Sequence, residues 1–207
     1  MPLQNRVDPF GNLHAVSERG TCMGNRGILH TAQRQIKHYH KHKAWIICRL
    51  DFKGRQRQVM SPGQYTELFF LDEATALAAG HRPCAECNRA RYNEFMRLWR
   101  QENSETQEKI DNVLHQERFI PYQTDWQRKK RIYTATIDGL PFGAFIILNN
   151  ESYLVLEDSL RPWSFAGYGD PIVRPVHQMV KVLTPPSTVS ILAAGYRPQI
   201  YPERKNC

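Results

Sequence analysis

The sequence predicts an α+β fold, with a metal-binding amino-terminal half followed by a β-rich carboxyl-terminal half. Three observations predict it. Cys84-Ala85-Glu86-Cys87 stands immediately before a strongly patterned helix. Short runs of β-branched and aromatic residues, bounded by Asp138-Gly139 and Asn149-Asn150, fill the second half. Between them, residues 101–111 are acidic and weakly patterned, which marks the best seam and gives segments 1–105 and 106–207.

Residues 1–20 are polar and show no periodicity. Residues 44–52 and 58–60 read as two strands joined by Lys53-Gly54-Arg55-Gln56, and Ser61-Pro62-Gly63 turns the chain into a third strand over 65–71. Asp72 suits an N-cap, with Glu73 in the first turn where an acid complements the helix dipole. Gly80 stands where a helix wants a left-handed residue after its last turn. The next helix runs from about Arg89 toward Arg100, because Tyr92, Phe95, Met96 and Trp99 fall at i, i+3, i+4 and i+7.

In the second half, residues 132–137, 144–148 and 153–156 read as strands of a small barrel or meander. The stretch from Arg161 through Trp163, Phe165 and Tyr168 to Pro171 is a glycine-rich aromatic loop. It suits stacking on bases or lining a pocket, and equally suits plugging one end of the barrel. Residues 187–198 echo 72–83, matching at Leu, Ala, Ala, Gly, Arg and Pro. That echo is either a duplicated unit or one solution to stopping a helix used twice.

Two thiolates two residues apart reach one tetrahedral metal from a tight turn, with Zn–S bonds of about 2.3 Å. Pro83 restricts that turn, and the backbone N–H groups of the following helix favour thiolate over thiol. Five cysteines, an odd number with two in a knuckle, point to a reducing compartment rather than a disulfide framework.

Phe69-Phe70-Leu71-Asp72-Glu73-Ala74-Thr75-Ala76-Leu77-Ala78-Ala79-Gly80-His81-Arg82-Pro83-Cys84-Ala85-Glu86-Cys87 resembles the Ada-like metal-binding domains, the amino-terminal zinc modules of Ada DNA-repair methyltransferases and their relatives. The resemblance covers about residues 65–92. It implies a four-ligand zinc site in which Cys84 and Cys87 are the second pair. Met23-Gly24-Asn25-Arg26-Gly27-Ile28-Leu29-His30 stands where the resemblance implies a short strand, ending in His30. The family's first pair departs from pattern here, because no cysteine follows His30 within four residues. His30 and Cys48 are the expected third and fourth ligands, with Cys22 and His81 in reserve. Cys48 also suits a buried thiol in an apolar strand. The family's methyl-accepting cysteine falls at His30, so the resemblance implies a structural zinc here rather than a methyl acceptor.

The chain has 207 residues, 41% of them hydrophobic, and a formal net charge of +8. Residues 1–60 carry a net +8, 61–127 a net −4 and 128–207 a net +4, so the basic excess belongs to the amino-terminal third. There, Lys41, Lys43, Arg49 and Arg55 are interleaved with Tyr39, Trp45 and three histidines. Such a face favours polyanions by counterion release. Alternating His38, His40 and His42 would suit a metal, but the lysines beside them favour a solvated loop. Arg128-Lys129-Lys130-Arg131 forms a second basic run.

His115-Gln116-Glu117 follows the Cys pair, whereas zinc deaminases place His-x-Glu before it. No P-loop, nucleophile elbow, dinucleotide fingerprint or His-Glu-x-x-His helix is present. No apolar leader or membrane-length run occurs, so a cytoplasmic protein is expected. The expected function is zinc-stabilised nucleic-acid binding through Arg82, Arg89, Arg91, Lys41, Lys43 and Arg55, with DNA the expected form because the family's modules contact DNA. The alternative is an enzyme acting on a nucleic-acid or nucleotide substrate beneath the aromatic loop.

Overall fold

A computed structural model describes residues 1–54, 58–103, 108–120 and 129–202. Among them the fold is α+β, with four α-helices and three sheets, most of the elements being strands. The first sheet contains β1 (Arg6–Val7), β2 (Leu13–His14), β3 (Cys22–Asn25), β4 (Ile46–Cys48), β5 (Leu68–Phe70) and β6 (Arg82–Pro83). Its order is β2-β1-β5-β3-β4-β6. β3 runs antiparallel to both neighbours, whereas β1–β5 and β4–β6 are parallel. Gly24 makes the β3–β4 pairing possible, because a Cβ there would sit 2.1 Å from the Ile46 carbonyl oxygen.

Three strands of this sheet are shorter than the sequence predicts and one is absent. Residues 44–52 contribute only Ile46–Cys48, 65–71 only Leu68–Phe70, the strand expected over 23–30 ends at Asn25, and residues 58–60 form no strand. Met60 takes φ +56 and gives its N–H to Glu67 Oε2, so the chain turns where a strand was expected.

Helix α1 (Glu73–Ala78) is buried throughout. Asp72 caps it as expected, with Oδ1 accepting from Thr75 N at 2.8 Å. Gly80 at φ +90 stops it, with Gly80 N donating to the Leu77 carbonyl and His81 N to the Ala76 carbonyl. Helix α4 (Pro186–Ala193) ends the same way. Gly195 lies at φ +106 and donates to the Leu192 carbonyl, and Tyr196 donates to the Ile191 carbonyl. In both, the residue after glycine (His81, Tyr196) turns back into the core at 0% exposure. The echo read from the sequence thus includes the same helix stop at both places.

Helix α2 (Arg89–Glu102) buries Phe95, Leu98 and Trp99. Helix α3 (Ile110–Arg118), which the sequence did not single out, buries Ile110, Leu114 and Arg118. A two-stranded ribbon pairs β7 (Phe119–Ile120) with β8 (Lys129–Lys130). The remaining strands are β9 (Tyr133–Thr136), β10 (Phe145–Leu148), β11 (Glu151–Val155), β12 (Ser159–Ser164), β13 (Gly167–Tyr168), β14 (Ile172–Val173) and β15 (Met179–Val182). They form a wholly antiparallel sheet of order β13-β12-β11-β10-β15-β9, with β14 on β12. Its path has two ends, so it is an open sheet, in which β10 to β13 meander and β15 inserts between β10 and β9. Asn149 (φ +49) and Asn150 (φ +64) turn β10 into β11, the doubly left-handed conformation a two-residue hairpin needs. The predicted aromatic loop is largely a hairpin of β12 and β13.

One cluster of buried side chains runs from Val7 and Leu29 through Phe70, Leu77, Phe95 and Leu114 to Ile146, Leu192 and Tyr196, across the seam expected near residue 105. Two buried carboxylates at the start of α1 also cross it. Asp72 Oδ2 accepts from Tyr168 Oη (2.7 Å) and Tyr201 N (2.9 Å). Glu73 Oε1 accepts from Tyr196 Oη (2.5 Å), and Oε2 from Arg91 Nη2 (2.8 Å) and Gln199 N (2.9 Å). Burial pushes the Asp72 carboxyl up, against the opposing pull of its hydrogen bonds from Thr75, Tyr201 and Tyr168.

Removing one member of a buried, hydrogen-bonded ion pair strands the other, a loss of about 3–5 kcal/mol. Glu73→Ala is therefore expected to lower unfolding stability in urea by about that much. Exposed Lys41→Ala should change it by less than about 0.5 kcal/mol. Equal effects from the two variants would refute the role given to Glu73.

Candidate metal centre

Parallel pairing of β4 with β6 places Ile46 beside Arg82 and Ile47 beside Pro83. Cys84 N donates to the Ile47 carbonyl at 2.9 Å, extending the ladder by one step. This register carries Cys48, the last residue of β4, to the side of Cys84. The chain then turns through Ala85 and Glu86 and delivers Cys87 just before α2. The sulfurs of Cys48, Cys84 and Cys87 all lie within 4.8 Å of one another, so the three residues could hold a metal ion. Zinc–sulfur bonds of about 2.3 Å at tetrahedral angles put sulfurs about 3.8 Å apart, inside that limit.

The backbone supports thiolate here. Glu86 N points at Cys84 Sγ from 3.4 Å. Cys84 is drawn down to about 5, first by the hydrogen bond from the Cys48 thiol and then by the backbone N–H groups of Cys87 and Glu86. The Arg49 N–H pulls Cys87 the same way, but burial outweighs it and that thiol is raised. Cys48, which donates to Cys84, is raised. Without metal, one thiolate held by two thiols is the expected state. A divalent cation would replace the shared protons. None of the four described cysteines is in a disulfide.

His30 lies elsewhere. Its Nδ1 is 2.6 Å from Thr66 Oγ1 and its Nε2 is 3.2 Å from the Ser61 carbonyl oxygen. The reason is the antiparallel register of β3, in which Met23 lies beside Cys48 and Asn25 beside Ile46. The chain therefore leaves the thiols as it runs from Met23 toward His30. The end of β3 nearest the metal candidates is its beginning, yet Cys22 faces away. It opposes Phe70, packs on the core, and burial raises its thiol well above the ordinary range. His81 is fully buried, and its ring lies against Trp45 and Phe70.

The thiols border a cavity of about 580 Å³. Met23, Asn25, Phe52, Tyr65 and Glu67 are among its other walls. Sequence reasoning named none of these five as site residues. Their signal is strand alternation, which puts Met23 and Asn25 on one face of β3, and it becomes readable only when β3 is known to lie beside β4.

Two of the expected phosphate-binding arginines are engaged within the protein. Arg82 forms a two-point pair with Asp111, Nε–Oδ1 at 2.8 Å and Nη2–Oδ2 at 2.7 Å. Arg91 bridges Glu73 and Glu94, bonds the Arg197 carbonyl and lies 4.1 Å from the Tyr196 ring centroid. Arg89, Lys41 and Lys43 are exposed, Lys43 donating to Asn112 Oδ1 at 3.0 Å. Arg55 lies outside the described residues. The aromatic hairpin leans on α1 rather than over the thiols, with Trp163 Nε1 donating to Thr75 Oγ1 at 3.0 Å and Tyr168 to Asp72.

Fold and site together define a mixed α+β protein with a three-cysteine cluster able to hold a metal ion. The chain matches no protein-family model, no curated protein and no solved structure. Among the described residues, no helix is long and apolar enough to cross a membrane.

Native mass spectrometry is expected to find one divalent metal ion per chain. Cys48→Ser, Cys84→Ser and Cys87→Ser should each lose it, whereas Cys22→Ser and His30→Ala should keep it. Loss of metal from His30→Ala in a folded protein would overturn the three-thiol assignment.

Proposed function

We propose that this is a zinc-stabilised nucleic-acid-binding protein, with Zn2+ held by Cys48, Cys84 and Cys87 and DNA as the expected polyanion. The thiol cluster carries the metal half of this reading. Zinc is the fitting ion because a close set of soft thiolates suits it. The bound ion would pin β4 to the turn before α2. Resemblance to Ada-like modules, carried by residues 65–92, adds to the case.

Exposed charge carries the nucleic-acid half. The internal pairing of Arg82 and Arg91 moves the expected contact away from the knuckle arginines and onto Lys41, Lys43, Arg49 and Arg89, all exposed. Cations that meet phosphates release counterions, so affinity falls with salt as the number of contacts.

The cavity favours a second reading. Three protein ligands leave one tetrahedral position for water or substrate, which is the pattern of catalytic rather than closed structural zinc. Here the thiols border a space large enough for a small molecule. A metal in that position would lower the pKa of a bound water and polarise a substrate oxygen. The chain's own part would be to fix the thiolates from β4 and the turn, and to line the cavity with Phe52 and Tyr65.

Binding to a fluorescent duplex, measured across salt concentrations, separates the readings. The reading as a nucleic-acid binder expects log affinity to fall linearly with log salt. Lys41→Glu, Lys43→Glu and Arg89→Glu together should flatten that slope by about 2.7, at roughly 0.9 per phosphate contact. A salt-insensitive affinity would sink it. A bound small molecule lost on Cys48→Ser would favour the second reading.

A further inference from the structure

Around the indole of Trp45 the structure gathers cations that no carboxylate among the described residues bonds directly, although Asp8 and Asp111 are near enough to favour their charge. Trp45 is 1% exposed. The guanidinium carbon of Arg26 lies 4.0 Å from its ring centroid and that of Arg118 4.4 Å, while the His81 ring lies 5.1 Å away. Arg26 is 0% exposed and Arg118 1%. From β8, half-buried Lys130 donates to the carbonyl of Ala78 at the end of α1.

These groups have too few acceptors. Arg26 gives Nη1 to the Gly11 carbonyl (3.0 Å) and Nε to His81 Nε2 (3.2 Å). Arg118 gives Nη1 to the Lys43 carbonyl at 2.8 Å. Because His81 Nε2 accepts, its ring proton sits on Nδ1. Arg26 Nη2, Arg118 Nε and Arg118 Nη2 are buried and have no hydrogen-bond partner among the described residues, while the His81 Nδ1 proton is directed at the Ala76 carbonyl. The three guanidinium nitrogens are donors. Nearby carboxylates are committed elsewhere. Asp8 accepts from Asn12 and His14, and Asp111 from Arg82.

Buried charges are ordinarily paired, and buried donors ordinarily bonded. An indole face offsets part of a cation's desolvation but accepts nothing from in-plane N–H groups. Burial pulls Arg118 down to about 9 against the opposing Asp111, with repulsion from Arg26 and Arg82 adding to it, and burial with repulsion from Arg26 and Arg118 pulls Lys130 down to about 7 against Asp8. The repulsion would ease with an anion in place.

We propose that this cluster binds a phosphate dianion, free or as the terminal group of a larger molecule, on Arg26, Arg118 and Lys130. Phosphate fits better than a carboxylate because three cations call for more than one negative charge. Guanidinium forks also match its oxygens two at a time. The inference is independent of the metal site and of the exposed basic face.

Calorimetric titration of the full chain with inorganic phosphate tests it, alongside thermal unfolding in phosphate and in chloride at matched ionic strength. Saturable binding is expected, with a matching rise in melting temperature by mass action. Arg118→Gln and Lys130→Met should each weaken it by about tenfold or more, the effect of losing one charge-assisted hydrogen bond. Lys41→Glu with Lys43→Glu should leave it unchanged. In phosphate-free buffer Lys130→Met should melt no lower than wild type, because it removes repulsion. Should Arg118→Gln not fold, Lys130→Met decides alone. A 5′-phosphorylated dinucleotide that binds as tightly as inorganic phosphate identifies a terminal phosphate; exclusion of the dinucleotide identifies the free ion. Absence of saturable phosphate binding overturns the proposal, as does binding that survives Lys130→Met or is lost with Lys41 and Lys43.

Discussion

The structure depends on two carboxylates that have no access to water. Asp72 and Glu73, at 0% and 4% exposure, open a helix that is itself buried. Their partners arrive from α2 (Arg91), from the β12–β13 hairpin (Tyr168) and from the tail after α4 (Tyr196, Gln199, Tyr201). A helix N-terminus tolerates negative charge because its free N–H groups and dipole favour it. Burying that charge leaves no alternative to protein donors. One local sequence feature, Asp-Glu before Ala-Thr-Ala-Leu, therefore fixes where the carboxyl-terminal segments must lie.

The metal candidates lie downstream of that anchor. With α1 held, its Gly80 stop sends the chain back along β4, and β6 is short enough that Cys84 follows at once. Arg82 is drawn to Asp111 and to the face of Tyr92, which fastens the start of β6 to α3 and α2. The knuckle is thus built between fixed points, a placement on rigid elements that suits a site needing its ligands held closely.

What was legible in the sequence was local. The Asp72 cap, the Gly80 stop, the α2 stripe, the Asn149-Asn150 hairpin and the Cys84/Cys87 pair each occupy a few consecutive residues whose chemistry admits one conformation. The misplacement of His30 came from pairing. Antiparallel β3 carries it away from Cys48, and nothing within 23–30 discloses that direction. Counting cations failed for the same reason. Arg82 and Arg91 read as free charge until residues 29 and 18 positions away supply their carboxylates. Nothing local distinguishes Arg26 and Arg118, which only the fold presses against Trp45. Helix α3 was hidden by the acidic, polar residues before and within it, which leave its short apolar stripe of Ile110, Val113 and Leu114 only one turn long.

Both unexplained concentrations of chemistry hang on one short strand. Trp45 and Ile47 are each 1% exposed and turn toward the core, Trp45 as the platform beneath Arg26 and Arg118. Ile46 and Cys48, the alternate residues, border the thiol cavity. Strand alternation alone separates the two, since successive side chains point to opposite faces. A slip of one residue against β3 or β6 would exchange the faces, exposing the indole to the cavity and burying Cys48 among cations. Gly24 guards against that slip. Its missing side chain is what lets the Ile46 carbonyl approach, so only one register of β3 on β4 places glycine at the point of closest contact. A residue with no side chain thereby determines which face receives the thiol and which receives the charge.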